Sequence, residues 1–79
     1  MSEITKAALG QVVKRMRKGK GWTQIQLGQE CDITRCIILE IEDGTGNPTL
    51  STLCKLSTGL GVGLSEIFCQ IERIEEASW

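Results

Sequence analysis

The sequence predicts an all-α protein with five helices, and three observations carry that prediction. Apolar residues recur at intervals of three and four in five segments, which is the spacing of one face of a helix. Residues that cap or break helices separate these segments, as in "GKGWT" and "DGTGNPT". No segment alternates apolar and polar residues, so no strand is expected.

The second and third predicted helices are short and are separated by a tight turn. Thr23 begins the second helix, where Thr23 and Gln26 have the spacing of a capping box. Asp32 lies in the turn, where a left-handed residue is often needed. Aspartate tolerates that conformation better than most residues. Thr34 is expected to cap the third helix, and Gly44 to end it.

The other three helices are longer. The first covers residues 4–18, with Ile4 on its inward face, and glycines follow its end. The fourth begins after the cap Thr49, and Leu50 is the first residue of its inward stripe. The fifth covers about residues 64–76 and has an apolar stripe along its whole length.

Length and composition predict a single domain, residues 1–79. The first ten residues, "MSEITKAALG", lack a basic region followed by an apolar block, so no secretion signal is expected. No apolar run approaches the ~20 residues of a membrane span. We therefore expect a cytoplasmic protein that does not bind membranes.

The net charge of −1 gives no support to nucleic-acid binding, but the distribution of charge is informative. Residues 1–30 contain six basic and two acidic side chains, whereas residues 31–79 contain three basic and eight acidic ones. The molecule should therefore have a basic end that can attract phosphates. Two solvated helix faces of opposite sign are the other interpretation of this pattern.

The four cysteines match no metal-site or disulfide pattern. The chain has no histidine, no CxxC pair and no zinc-type spacing, so no metal, cofactor or small-molecule ligand is expected. An enzyme is disfavoured, because a paired-carboxylate pocket and a GxxxxGK phosphate loop are lacking as well. Cys31, Cys54 and Cys69 fall on apolar helical stripes, so we expect them in the core.

Four stretches carry a resemblance to a known family: "LGQVVKRMRKGKGWTQIQLG", "CDIT", "IEDG" and "NPTLSTLCKLSTGLGVGLSEIF". Together they resemble the lambda-repressor-like, Cro/XRE-type helix-turn-helix family. The resemblance implies that helices 2 and 3 form the helix-turn-helix and that helix 3 enters the major groove of double-stranded DNA. It implies a transcriptional regulator, and the small size is similar to restriction–modification controller proteins and small phage repressors.

The resemblance also implies a phosphate contact at the start of the second helix. Gln24 matches the family's phosphate-binding glutamine, and free N–H groups and the helix dipole favour an anion there. Thr23 and Lys20 belong to the same predicted site. A solvated first-turn residue is the alternative for Gln24. Arg17 and Glu42 match a family pair that bridges the first and third helices, so a structural role is expected for both.

The outward residues of the third helix are candidates for base contacts. Arg35 can bond guanine O6 and N7 together, a contact worth ~1–3 kcal/mol of discrimination, and the Thr34 hydroxyl is placed near the DNA backbone. Glu40 departs from the family pattern: it can accept from cytosine N4, pair with Arg35 or face solvent. Leu39 can touch a thymine methyl or another protein, and Cys36 adds a thiol to this face.

The loop after the third helix offers few cations. Backbone N–H groups of Gly44, Gly46 and Asn47 can bind a phosphate in their place. Because few cations contact phosphates, binding to random DNA should be weak and should depend only shallowly on salt. A protein-interaction module is the competing interpretation. In that case a surface containing Ile37, Leu39 and Glu40 would bind another protein.

A homodimer is predicted through the fifth helix. Its stripe is longer than one small core requires, so a monomer would leave Ile71, Ile74 and Trp79 exposed. Pairing would place two third helices about one DNA turn, ~34 Å, apart on a palindromic operator. Glycines inside helices, at 28 and 59, cost up to ~1 kcal/mol each and are consistent with a marginal monomer. The predicted interface residues are Ile67, Ile71 and Ile74.

Overall fold

A computed structural model describes residues 2–77, and in that part of the chain five helices without strands are confirmed. They are α1 (Glu3–Gly19), α2 (Gln24–Cys31), α3 (Arg35–Asp43), α4 (Leu50–Leu60) and α5 (Leu64–Ala77). Helix α1 packs against α3 and α5, and α2 packs against α3 and α4. Within residues 2–77 no helix is both long enough and apolar enough to cross a membrane.

Local sequence signals set most helix ends as predicted. Thr23 Oγ1 accepts the Gln26 N–H at 3.1 Å and Gln26 Oε1 accepts the Thr23 N–H at 2.7 Å, so the capping box is confirmed. Asp32 ends α2 in the left-handed region, with φ 56°, and Gly44 ends α3 there with φ 76°. Thr34 occupies the N-cap position of α3, but its side chain makes no capping bond. That part of the prediction is wrong.

One apolar core joins the five helices. The first turn of α1 is also tied to the end of α5, because Thr5 Oγ1 donates to Glu75 Oε2 at 2.5 Å. Burial of each large aliphatic side chain contributes roughly 1.5–3 kcal/mol, so this cluster supplies most of the stabilisation. Its buried members are Ala8, Leu9, Val12, Val13, Leu27, Cys31, Ile38, Ile41, Leu53, Leu56, Leu60, Ile67 and Ile71.

The glycines inside helices are explained by close helix packing. A Cβ at Gly59 would lie 2.8 Å from Cys31 Cα and 2.9 Å from the Glu30 carbonyl oxygen, so only glycine lets α4 approach α2 this closely. A Cβ at Gly10 would lie 2.6 Å from the Ile41 carbonyl oxygen, so glycine is also required for the close approach of α1 to α3. The helix-propensity cost of these glycines therefore accompanies tighter packing and does not indicate a marginal monomer.

Several residues predicted to face inward are exposed. Leu50 is 70% exposed because it begins α4, and helical side chains tilt toward the N-terminus, here beyond the packed part of the helix. Ile4, near the start of α1, is 50% exposed. Cys54 follows the buried Leu53 and so lies about 100° around α4 from it, while Cys69 lies opposite the buried face of α5; both thiols are exposed.

The predicted dimer-interface residues of α5 are mostly unavailable. Ile67 and Ile71 are 0% and 1% exposed within the single chain, because α5 packs against α1 along this stripe. The expectation that a monomer would leave Ile71 exposed is therefore wrong. Ile74 is half-buried and packs against the core, and Trp79 lies outside the described residues.

Candidate nucleic-acid interface

The turn between α2 and α3 is held by backbone contacts that require glycine at position 28. The Ile33 N–H donates to the Gly28 carbonyl oxygen at 2.8 Å, and a Cβ on Gly28 would lie 2.6 Å from the Ile33 carbonyl oxygen. Together with the left-handed Asp32, this close approach fixes the direction in which α3 leaves α2. The helix-turn-helix geometry is thus a consequence of local backbone chemistry.

A buried polar cluster fixes α3 against α1 and the start of α2. Arg17 donates to both carboxylate oxygens of Glu42, from Nε at 2.7 Å and from Nη2 at 3.0 Å. Arg17 Nη1 also donates to the Trp22 carbonyl oxygen at 2.9 Å. The side chains of Arg17 and Glu42 are only 11% and 2% exposed, so the pair bridges α1 and α3 in the way the resemblance implied.

Three of the predicted site residues lie together before and at the start of α2. The exposed Lys20 Nζ lies 5.2 Å from the ring centroid of Trp22, a cation–π contact within the loop between α1 and α2. Thr23 is exposed at the N-cap, and the half-buried Gln24 donates through Nε2 to Glu42 Oε1 at 3.3 Å. The capping box occupies the amides of Thr23 and Gln26, which leaves those of Gln24 and Ile25 as first-turn donors.

Three more predicted residues form the exposed first turn of α3 and its N-cap. Thr34, Arg35 and Cys36 are all exposed, and they precede the buried Ile38. Because Thr34 makes no capping bond, the first amides of α3 remain available to an anion. A hydroxyl, a guanidinium and free amides therefore lie at one end of this helix.

The rest of the outward face of α3 is acidic and apolar. Glu40 and Asp43 are exposed, and Leu39 is half-buried. Within residues 2–77 no ion pair joins Arg35 to Glu40, so pairing with Arg35 is removed from the three alternatives for that carboxylate. The face therefore offers Arg35 as a donor and two carboxylates as acceptors.

The loop after α3 folds back over this face. The N–H groups of Thr45 and Gly46 donate to the Glu40 carbonyl oxygen at 3.1 and 3.0 Å, and the Gly44 N–H donates to the Ile41 carbonyl oxygen at 3.1 Å. The amides of Gly44 and Gly46 are thus occupied, which contradicts their predicted availability for a phosphate. Asn47 is exposed and borders a groove of about 220 Å³ between α3 and the start of α4.

Sequence reasoning missed the contribution of Trp22 to this site. Its carbonyl oxygen accepts from Arg17 and its ring lies beneath Lys20, so the residue positions both a buried and an exposed cation. The available signal was an aromatic residue between a lysine and a helix cap. The link between Gln24 and Glu42 had no signal in either segment alone, because eighteen positions separate them.

The four cysteines lie in two environments, with Cys31 buried and the other three exposed. All four are free thiols, and within residues 2–77 no group of three potential metal ligands is present. Burial, and secondarily the charge of Glu30, raises the pKa of the Cys31 thiol above its ordinary value. Its Sγ donates to the Leu56 carbonyl oxygen at 3.9 Å, so Cys31 behaves as a core residue.

Comparisons with known proteins agree with this geometry. Residues 13–67 match the family model HTH_3, described as helix-turn-helix. The control protein C.MunI from Mycoplasma sp. is 38% identical over 74 residues, which cover 92% of this chain and 99% of that protein. The immunity repressor of Bacillus phage phi105 is 35% identical over 68 residues, which cover 86% of this chain but only 47% of the repressor.

The likeness extends to three-dimensional structure. The restriction–modification controller protein C.Esp1396I, solved bound to a 19 base pair DNA duplex, superposes with a TM-score of 0.80 at 27% identity. The superposition covers 89% of this chain and 93% of the controller protein. The chain belongs to the helix-turn-helix family HTH_3, of the Cro/XRE type.

Proposed function

We propose that this protein is a transcriptional regulator that binds a palindromic DNA operator as a homodimer, with α3 in the major groove. The observation that carries the proposal is the exposed first turn of α3, where Arg35 and Thr34 stand beside uncapped amides. The buried Arg17–Glu42 pair holds that helix in a fixed orientation. The relatives named above are control and repressor proteins, which favours binding over catalysis.

Arg35 supplies the main direct contact with a base. Its guanidinium can donate two parallel hydrogen bonds to guanine O6 and N7, and its exposure leaves it free to do so. Phosphate contacts come from Lys20, from the start of α2 at Thr23 and Gln24, and from Asn47. Leu39, Glu40 and Cys36 then lie over neighbouring base edges and set the rest of the preference.

Electrostatics predict a binding mode with few released counterions. Each protomer brings Lys20 and Arg35 to the proposed interface, while Glu40 and Asp43 lie on its reading face. Lys20 is the one cation among the proposed phosphate contacts of each protomer, so a homodimer would neutralise about two phosphates and log K should fall with log salt with a slope of roughly −2. Affinity therefore has to come from paired protomers and base contacts.

The proposed dimer uses the part of α5 that the core leaves accessible. Ile67 and Ile71 support α5 from inside the chain, so Ile74 is the remaining predicted residue that can reach a second copy. A two-fold contact there would place the two α3 helices about 34 Å apart, one turn of DNA. The dimer also accounts for the palindromic operator, because protein and site share the symmetry.

Selection of bound fragments from a random DNA pool, followed by titration of the selected duplex, tests DNA reading. Arg35→Ala should raise the Kd about tenfold or more and relax one position per half-site, since a bidentate contact is worth ~1–3 kcal/mol. Arg15→Ala is the matched control, because Arg15 is an exposed arginine on α1 that belongs to neither the proposed DNA contacts nor the proposed dimer contact. The DNA-reading proposal is wrong if the wild type binds no duplex at low salt or if Arg35→Ala retains full specific affinity.

Sedimentation equilibrium tests the dimer separately. We expect a dimeric wild-type protein and a lower mass for Ile74→Glu, with circular dichroism confirming that the variant is still helical. Ile71→Glu is unsuitable, because a charge at this buried position would unfold the chain. A monomeric wild type would remove the dimer from the proposal, and an unchanged mass for Ile74→Glu would move the interface elsewhere.

A protein-interaction module is the second candidate, and exposed apolar side chains favour it. Ile25 and Ile37 are 54% and 39% exposed, and Ile37 lies on the same helix as the carboxylate of Glu40. Such a surface suits a protein partner better than a phosphate backbone. The same titrations decide between the two. If the wild type binds no duplex, and if Ile37→Asp abolishes a complex with a protein partner, this candidate is favoured.

A further inference from the structure

We infer that Glu42 is a positioning residue for DNA binding, holding the Gln24 side chain at the start of α2 while Arg17 neutralises its charge. The inference rests on the proposed function and deepens it. Glu42 does not belong to the exposed face, since its side chain is 2% exposed. It acts through Gln24, whose Nε2 lies 3.3 Å from Glu42 Oε1.

The geometry leaves Gln24 with donors for an anion. One hydrogen of the Gln24 amide is engaged by Glu42, and the second has no bonded partner among the hydrogen bonds of residues 2–77. The backbone N–H of the same residue is a first-turn amide left open by the capping box. A phosphate oxygen at this helix end would thus meet a side-chain donor and a backbone donor from one residue.

Fixing the Gln24 side chain in advance matters because glutamine is long and mobile. A free glutamine loses much of its rotamer freedom when it binds a phosphate, and that loss weakens the contact. In this protein the side chain is half-buried and bonded to Glu42 within the same chain. The bond to Glu42 therefore transfers part of the ordering cost from DNA binding to folding.

Arg17 is needed because a bare carboxylate at this place would repel phosphate. Its guanidinium binds both Glu42 oxygens, so the pair carries no net charge toward the DNA. Arg17 also holds the Trp22 carbonyl oxygen, immediately before the cap Thr23. The same cluster therefore fixes the backbone entering α2 and the side chain that begins it.

The alternative is that the pair only braces α1 against α3, and a double-mutant cycle separates the two roles. Replacing the pair by apolar residues, Arg17→Met with Glu42→Leu, avoids leaving a buried charge unpaired. Affinity for the selected duplex is then measured for this paired variant, for Gln24→Ala and for their combination. The combination of the pair with Arg35→Ala is the control cycle, because Arg35 contacts none of the cluster.

A positioning role predicts a specific pattern of affinities. The paired variant should bind roughly tenfold more weakly, the effect of about one hydrogen bond. In the Gln24→Ala background the same change should alter the Kd less than twofold, whereas in the Arg35→Ala background it should again cost roughly tenfold. Equal losses in all backgrounds would overturn the inference and leave a brace.

A second measurement needs no variant and remains decisive if the paired variant fails to fold. NMR relaxation of side-chain amides in the free wild-type protein compares Gln24 with Gln11 and Gln29, which are exposed on α1 and α2. Gln24 should be clearly more rigid, while the other two stay below an order parameter of about 0.6. Equal mobility of all three overturns the inference. The NMR comparison uses no DNA, so its outcome is independent of the titrations. Failure of the wild type to bind any duplex would refute the proposed function and not the NMR result.

Discussion

Replacement of Gly10 by alanine should separate α1 from α3 and destabilise the fold. A Cβ at this position would lie 2.6 Å from the Ile41 carbonyl oxygen and 2.8 Å from that of Glu42. Aliphatic carbons approach carbonyl oxygens to about 3.3 Å, so α3 would have to move away by about 0.7 Å. Both obstacles are backbone atoms of a helix, which cannot move aside as a flexible side chain can.

The magnitude follows from two opposing terms. Overpacking of this kind costs about 1–3 kcal/mol, whereas alanine in place of glycine within a helix stabilises by up to ~1 kcal/mol. Gly19→Ala is the matched control, because Gly19 lies in the same helix and has no atom within 4 Å of an added Cβ. Gly19 is the last residue of α1, so the propensity gain is smaller there than at Gly10, and the two variants should differ in unfolding free energy by about 1–2 kcal/mol.

Urea unfolding followed by circular dichroism at one protein concentration measures this difference. With a slope of about 1 kcal/mol per molar urea for so small a chain, the midpoint of Gly10→Ala should lie roughly 1 M or more below that of Gly19→Ala. The concentration is held constant because dimerisation would add to the apparent stability. If the two variants unfold at the same urea concentration, helix packing does not require glycine at position 10 and the reasoning is refuted.

Three further changes test local features of the fold. Thr49→Ala should cost about 0.5–2 kcal/mol of unfolding free energy, because the Thr49 side chain caps α4. Thr34→Ala should cost much less, because the Thr34 side chain makes no capping bond. Similar thermal midpoints for the two variants would contradict this. Asp32→Gly should be neutral or stabilising and Asp32→Ala destabilising by about 1 kcal/mol, since residue 32 has a positive φ; the reverse order in thermal melts would rule this out. Under native conditions iodoacetamide should modify three thiols, and Cys31 should react only at higher pH or after unfolding, because burial raises its pKa and the thiolate is the nucleophile. The three thiols expected to react first are those of Cys36, Cys54 and Cys69. Early modification of Cys31, detected by mass spectrometry, would contradict its buried position.

Features fixed by neighbouring residues were predictable from the sequence. The capping box at Thr23, the left-handed Asp32 and the glycine end of α3 depend on contacts within a few positions, and each is present in the structure. The Arg17–Glu42 pair joins distant segments and came from the family resemblance, not from spacing. Local chemistry therefore sufficed for the helices and for most of their ends, with the cap at Thr34 as the exception, and the resemblance supplied their arrangement.

The errors in predicted burial share a different physical origin. Apolar spacing identifies a stripe, but it does not say how far along the helix a neighbour covers that stripe. Leu50 extends beyond the packed part of α4 and is exposed, whereas Ile71 lies where α1 covers α5 and is fully buried. The assignments failed because coverage is a property of two helices together, and the sequence of one helix does not contain it.

The division between buried and exposed residues separates the side chains that orient α3 from those that α3 presents to solvent. Residues that orient α3, such as Glu42 and Ile38, are buried, so replacing them alters stability as well as binding. Arg35 and Glu40 are exposed and contribute little to folding, so they can vary without changing the orientation of the helix. The same fold can therefore present an acidic reading face or a basic one. On the proposed function, operator preference would therefore be set by a few side chains that packing does not constrain, and it could change without a change of fold.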